Sequence, residues 1–521
     1  MLKKIRAAAA AFFMIALTLL FLDYTGTVHS YLGWSARVQL VPAVLAGSAA
    51  VIIGLVLMTL IFGRIYCSAV CPLGIFQDVV SRITNIGKKN RFSYRPPRKP
   101  LVALRFAILG LFVLAIAAPV AVFTVLLEPY SAYGRMISQL FGPLYQWGNN
   151  ILAHFAERAG SYAFYTVDVW LKSMSALVVA GLTFTAVSVF AWKSGRGYCN
   201  TICPVGTLLG LASQLCFMKP PVWEKCSGCD LCAKKCKSGC IDTVNKKVDY
   251  LRCVSCFNCY AVCPKKVFSA AWGNPFGAKK TIQGSKSESG GNMTKSEDGK
   301  SANKDKLTGD SAGRRNFVSA SALFLLACVT RIIGRTTYDF DGGLAPLEDK
   351  RAPARLTPLI PPGADNSRHF RRHCTGCQLC VSSCPNQVLR PSSKISSFMQ
   401  PQMSFERGYC RPECVRCGQV CPTGAIRPIT TAEKSATQIG YAVWNKDLCV
   451  VNTDKVNCDL CSRKCPAGAI TRIPQTDEPD SLKIPMIITN RCIGCGACEN
   501  LCPARPYSAI FVEGVESHRT I

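Results

Sequence analysis

Gly63–Gly74 reads GRIYCSAVCPLG, and Gly195–Gly206 reads GRGYCNTICPVG. Both follow the pattern Gly-Arg-x-Tyr-Cys-x-x-(Val/Ile)-Cys-Pro-(Leu/Val)-Gly, and each directly follows a long apolar segment. A repeat that sets two cysteines at the ends of two apolar helices implies a membrane bundle with paired thiols at matching depth. Cys67, Cys71, Cys199 and Cys203 then have three readings. They form one four-thiolate metal or cluster site closed between the halves, or two redox-active dithiols, or plain helix ends at Cys-Pro. The sequence leaves all three open.

Outward from the repeat, four apolar segments occupy the first part of the chain: Ile5–Leu22, Val41–Phe62, Leu101–Leu127 and Met174–Trp192. Each has the length and composition expected of a spanning helix, the first being near the lower limit. Loop charge sets the orientation. Lys3, Lys4 and Arg6 lie at the N-terminus, and Arg64, Arg82, Lys88, Lys89, Arg91, Arg95, Arg98 and Lys99 follow the second segment. The long loop after the third carries only Arg135, Arg158 and Lys172. The N-terminus and both motifs are therefore expected on the cytoplasmic face. No small-residue cleavage site follows the first segment, so a removed signal peptide is not expected.

The chain has 521 residues, 31 cysteines and a formal charge of +30. The charge does not point to nucleic acid, because basic residues crowd one membrane side and thiolate-bound clusters, each about −2 with its ligands, offset much of it. The cysteines fall into regular groups of four, which disulfide frameworks do not require. CVSCFNCYAVCP supplies Cys253, Cys256, Cys259 and Cys263 in the Cys-x2-Cys-x2-Cys-x3-Cys-Pro spacing of a four-iron cluster pair. Cys226, Cys229, Cys232 and Cys236 form its partner. By crossover, Cys226, Cys229, Cys232 and Cys263 hold one cluster, and Cys253, Cys256, Cys259 and Cys236 the other. Lys237 stands where proline is expected, and Cys240 is an alternative fourth ligand. Cys216 reads as a small apolar side chain.

A Ser-, Gly- and Lys-rich stretch follows, and reads as a disordered linker over 275–312. It ends at Arg314-Arg315 before an apolar run, so 313–335 is either a twin-arginine-like signal or a plain fifth transmembrane helix. In both cases the remainder lies across the membrane; a third reading keeps it cytoplasmic. LFLLAC, ending at Cys328, is either a lipoprotein-like cleavage box or a buried helical cysteine.

Four further groups lie beyond: Cys374, Cys377, Cys380 and Cys384; Cys410, Cys414, Cys417 and Cys421; Cys449, Cys458, Cys461 and Cys465; and Cys492, Cys495, Cys498 and Cys502. Each ends in Cys-Pro. Triplets plus a remote Cys-Pro, with no histidine in the groups, favour iron–sulfur over zinc. Pairing is open between adjacent groups (first with second, third with fourth) and nested groups (first with fourth, second with third). No Cys-x-x-Cys-His and no histidine within a span occur, so neither c-type nor transmembrane b-type haem is expected. No phosphate-binding glycine loop or dinucleotide fingerprint is seen.

Residues 1 to about 270 resemble NapH/MauN-type membrane ferredoxins, through the two Cys-x3-Cys-Pro motifs and the two-cluster run. Residues from about 314 to 521 resemble NapG/MauM-type exported ferredoxins, through the twin arginine and four cluster motifs. The whole is similar to a fusion of the two. The resemblance implies a quinol dehydrogenase module of an anaerobic respiratory chain, passing electrons from the quinone pool to a periplasmic reductase, such as a nitrate reductase, or to an electron carrier. The expected fold is an α-helical membrane bundle of four spans plus a fifth signal or anchor helix, with α+β ferredoxin-like [4Fe-4S] domains on both sides. Its units are 1–215 (membrane domain), 216–274 (cytoplasmic two-cluster domain), 275–312 (linker), 313–335 (signal or anchor) and 336–521 (exported four-cluster domain). Six [4Fe-4S] clusters are expected, with a further metal centre or redox dithiols at the repeat, in a multi-pass bacterial inner-membrane protein. Glu128 is either a proton acceptor for quinol or an interfacial residue. The competing function is a redox maturation or regulatory protein that keeps a metalloenzyme or metal centre reduced.

Overall fold

The computed structural model describes residues 2–84, 92–118, 121–218, 226, 228–265, 267, 348–478 and 481–521. The 275–312 linker, the 313–335 segment and Cys328 lie outside the described residues.

Among the described residues, three helices are long and apolar enough to cross a membrane. These are α1 (Leu2–Leu22), α5 (Lys99–Ala117) and α7 (Met174–Ser194). The expected span at 41–62 is broken. Leu40–Leu45 is a short helix of its own, Gly47 turns the chain at φ +66°, and α2 (Ala49–Phe62) has only 14 residues. At 1.5 Å per residue α2 reaches about 21 Å, short of a ~30 Å hydrocarbon core. The segment at 101–127 divides likewise: α5 stops at Ala117 and a second helix runs Ala121–Leu127. Among the described residues there are thus three helices of spanning length where four were expected.

The two motifs build matching corners. Gly63 ends α2 at φ +74° and Gly195 ends α7 at φ +64°, a region that side chains disfavour. A Cβ at Gly63 would lie 2.8 Å from Ser255 Oγ, and one at Gly195 2.5 Å from the Lys237 carbonyl. The glycines therefore turn the chain and seat the 226–265 unit. One-turn helices follow, α3 (Tyr66–Ala69) and α8 (Gly197–Thr201). Cys71 and Cys203 are then the N-caps of α4 (Pro72–Ile83) and α9 (Pro204–Ser213), with proline in the first turn. Proline fits there because the amide it lacks has no intrahelical partner anyway. Cys-Pro thus starts a helix here; the reading of it as a helix end is corrected. Both new helices are largely buried, α4 against α1 and α7, α9 against α2 and α5.

Between Pro129 and Met136 a further helix, α6, packs on α4 and α7 and faces the C-terminal unit. The 226–265 unit carries the antiparallel hairpin β1 (Ile241–Asp242) with β2 (Lys247–Val248). The C-terminal unit holds three more antiparallel pairs: β3 (Leu389–Pro391) with β4 (Pro401–Met403), β5 (Thr437–Trp444) with β8 (Ile510–Thr520), and β6 (Ile470–Pro474) with β7 (Lys483–Ile487). One-turn helices carry the middle cysteines, as in Leu379–Ser382 and Ala497–Leu501.

The two cysteine-rich units meet opposite ends of α1. Near its start, Arg6 reaches Asp78, which also pairs with Lys237 of the 226–265 unit at 3.2 Å. Past its other end, the Tyr24 carbonyl accepts from Arg416 Nη1 at 3.2 Å. Trp170 lies under Arg390 and Arg407, 4.3 and 5.2 Å from its ring centre, and Lys172 Nζ donates to the Val381 carbonyl at 3.1 Å.

Candidate iron–sulfur sites and the path between them

Four of the six ferredoxin groups share one backbone trace. The residues flanking the second cysteine are left-handed: Gly228 and Asp230, Ser255 and Phe257, Gly376 and Gln378, Gly494 and Gly496. Left-handed residues placed this way turn successive amides into a concave nest that favours anionic groups, thiolate-ligated iron–sulfur clusters among them. The amide two residues on bears on each sulfur: Gly376 on Cys374, Leu379 on Cys377, Gly494 on Cys492, Ala497 on Cys495. Burial pushes the Cys374 and Cys380 thiols well up, and that of Cys377 up to about 12. Thiols in so dry a pocket ionise only around a cationic core, which a cluster supplies. Among the described residues no three His, Cys, Asp or Glu side chains converge to share a single ion.

In the 226–265 unit, Cys226, Cys229, Cys232 and Cys263 line one cavity, as the crossover expectation has it. Cys236, Cys253, Cys256 and Cys259 line another. Cys240 lines that second cavity too, its sulfur 3.5 Å from that of Cys236, so both candidates for the fourth ligand face it. Lys237, which replaces the expected proline, docks this unit on the second motif. Its carbonyl accepts from the Arg196 amide at 3.2 Å, and its ammonium meets Asp78.

The four C-terminal groups pair as neighbours. Cys421 is within charge–charge reach of Cys374, Cys377 and Cys380, and Cys384 of Cys410 and Cys417. Cys502 bears on Cys461, and Cys465 on Cys492, Cys495 and Cys498. The nested alternative is thereby set aside. The Cys410 amide also donates to the Cys495 carbonyl at 2.9 Å, which joins the two pairs. The sites run in the order 374-group, 410-group, 492-group, 449-group.

At the repeat, the halves exchange arms. Arg64 of the first motif donates to the Cys199 carbonyl at 3.3 Å, and Arg196 of the second donates to the Cys67 carbonyl at 2.6 Å. Gly74 and Gly206 make room: a Cβ would meet the Cys67 carbonyl at 2.3 Å in one case and the Cys199 carbonyl at 2.5 Å in the other. Cys67, Cys71, Cys199 and Cys203 are all buried, 3–4% exposed, and none is in a disulfide. Cys71 is within charge–charge reach of the other three. Gln77 Nε2 donates to Cys199 Sγ at 3.1 Å, and the Gly206 amide to Cys203 Sγ at 3.4 Å. The structure thus sets the four thiols as two pairs at one internally two-fold candidate site. Tyr198 faces that site on one side and Arg135 on the other.

Arg135 and Tyr130 lie between the repeat and the 374-group, and sequence reasoning passed over both. Arg135 counted only as a loop charge; it is 1% exposed, and its Nη1 donates to the Gly376 carbonyl at 3.3 Å. Tyr130 is buried within reach of Cys377, Cys380 and Cys421, and its hydroxyl has no partner among the described residues. Around them Ser131 Oγ meets Thr375 Oγ1 at 2.8 Å, and Gln139 donates to Gln378 Oε1 at 2.6 Å. Gly134 lets the 374–380 loop close on α6; a Cβ there would lie 2.7 Å from the Cys377 carbonyl. Glu128 is 1% exposed and caps α6, its carboxylate accepting from the Tyr130 and Ser131 amides.

Nests of amides around buried cysteines, in groups spaced for four irons and joined in series, define a ferredoxin-type iron–sulfur electron-transfer protein. A family described as a 4Fe-4S binding domain matches residues 44–91 and 176–221, the surroundings of the two motifs. One described as a 4Fe-4S dicluster domain matches 373–425 and 456–505. The methylamine utilization ferredoxin-type protein MauM of Methylobacillus flagellatus is 34% identical over 179 residues, 33% of this chain and 76% of the relative. The ferredoxin-type protein NapF of Escherichia coli K12 is 29% identical over 160 residues, 31% and 87% of the two chains. NapG of Haemophilus influenzae is 32% identical over 174 residues, 31% and 61%. The chain belongs to the MauM family of ferredoxin-type proteins. No solved structure matches it.

Proposed function

We propose that this protein oxidises quinol at the membrane and delivers the electrons to a periplasmic reductase or electron carrier. The observation that carries this reading is the series of thiol sites, which runs from the 226–265 unit through the repeat and α6 into the 374-group. In this reading the six ferredoxin groups hold six [4Fe-4S] clusters, and Cys67, Cys71, Cys199 and Cys203 hold a seventh. Bound there, each cluster supplies a one-electron carrier. The chain's own residues fix the spacing: Arg64 and Arg196 lock the two motifs together, Lys237 docks the first unit, and α6 docks the last. The N-terminus, the motifs and the 226–265 unit face the cytoplasm, and the 348–521 unit faces the periplasm. That the two units meet opposite ends of α1, about 32 Å long at 1.5 Å per residue, supports this arrangement. The acceptor is of the kind the NapG/MauM resemblance implies, a nitrate-reductase-like system among them. The test is anaerobic mixing of the purified full chain with a soluble naphthoquinol. Bleaching of the cluster absorbance within seconds is expected, and absence of bleaching on that timescale overturns the reading.

A further inference from the structure

A cavity of about 470 Å³ lies where α5, the second motif and the 226–265 unit meet. Its walls are mainly apolar, from Phe92, Pro96, Leu101, Val102 and Leu251. Leu101 is also 43% exposed and Leu104 48%, so the mouth opens on the apolar outer face of α5. The inner end is different in character. Asn200 and Thr201 belong to the second motif, one to three residues from Cys199 and Cys203, while Ser238 and Arg252 stand between Cys236 and Cys253. Two buried donors there have no hydrogen-bond partner among the described residues: Ser238 Oγ and Arg252 Nη2. The rest of the Arg252 guanidinium is held, Nε by Asp249 at 2.6 Å and Nη1 by the Arg95 carbonyl at 2.7 Å. Arg105, 3% exposed, closes the floor by donating to Thr207 Oγ1 at 2.9 Å and to the Leu251 carbonyl at 3.1 Å.

An apolar slot of this volume, with a few convergent polar groups at its closed end, is what small amphipathic ligands occupy. Unpaired buried donors carry a desolvation cost that a ligand oxygen removes. The required ligand is flat and apolar, carries an oxygen that accepts hydrogen bonds, and enters from the lipid side. We propose that this cavity binds the head group of a membrane hydroquinone, one ring oxygen accepting from Ser238 Oγ and Arg252 Nη2. This rests on the quinol-oxidising reading and gives it a place.

The chemistry balances with acceptors named by class. The hydroquinone loses two electrons and two protons and leaves as the quinone. The electrons go one at a time to oxidised four-iron clusters at the two neighbouring thiol sites. The two protons leave to water on the exposed Arg95 side of the cavity.

The test uses the full-length protein and a fluorescent hydroxyquinoline N-oxide, a hydroquinone mimic whose emission is quenched on binding. Ser238→Val removes one donor, Arg252→Gln the other, and Leu101→Trp fills the slot. Each is expected to weaken binding about tenfold or more, with iron content and the dithionite-reduced EPR spectrum unchanged. Unaltered binding in both Ser238→Val and Leu101→Trp overturns the cavity assignment. If the wild type is still bleached by naphthoquinol in that case, the parent reading stands and the site lies elsewhere. If the wild type neither binds the mimic nor is bleached, both fall.

Discussion

Tyr130 and Lys237 show how single side chains give the cysteine groups their setting. Tyr130 brings a buried, unpaired hydroxyl to the 374-group. A hydrogen bond donated to a cluster or its thiolates favours the reduced, more negative state. Tyr130→Phe is therefore expected to lower the potential of that centre by roughly 40 mV, the one-electron equivalent of about 1 kcal/mol. A redox-titrated EPR series checks this, and a midpoint unmoved within error would remove Tyr130 from the path. The cysteine ligands themselves were legible from spacing alone, because cluster geometry confines them to a short, patterned run. Lys237 was legible only as a departure from pattern. Its reason, a dock onto Asp78 and the Arg196 amide, depends on residues far away in the chain. Arg135 and Tyr130 gave no signal, since one buried arginine and one buried tyrosine look like any loop residues until their neighbours are placed.

At the scale of elements, apolar runs predicted helices well and their ends poorly. Hydropathy sees composition, whereas Gly47 and the break after Ala117 divide two of the four runs by backbone geometry. One of the three readings of Cys71-Pro72 and Cys203-Pro204 made them helix ends, because proline stops helices; here proline occupies the first turn of the next one. The fit of α6 on the 374–380 loop depends on the bare face of Gly134. Gly134→Leu is expected to release the C-terminal unit from the bundle, seen as faster limited proteolysis between the two, while the 226–265 unit is unaffected. Strand β8 carries a pH sensitivity. Burial holds the His518 imidazole down, to about 4, and neither ring nitrogen has a hydrogen-bond partner among the described residues. The unfolded chain takes up this proton near pH 6.5, the folded one only near 4. Between those values protonation favours unfolding, so stability of the C-terminal unit falls as pH falls. Partial exposure limits the loss to roughly 1–2 kcal/mol. Thermal melts of His518→Gln are expected to show a flatter profile over that range.

Across the whole molecule, two cysteine-rich units are joined by a bundle whose own repeat sets four more cysteines between them. Neighbour pairing of the C-terminal groups needed the coordinates, because four equivalent triplets permit either arrangement on spacing alone. Once placed, the 374-group lies against the bundle and the 449-group stands last in the series. Arg64 and Arg196, each crossing to the opposite motif, tie the two corners of the repeat together. The proposal that they close a single cluster site there is the central claim, and iron analysis of anaerobically purified protein tests it most directly. Seven four-iron centres predict about 28 irons per chain, falling by about four in Cys67→Ser and equally in Cys199→Ser. A count near 24 in the wild type, unchanged in both variants, would contradict it.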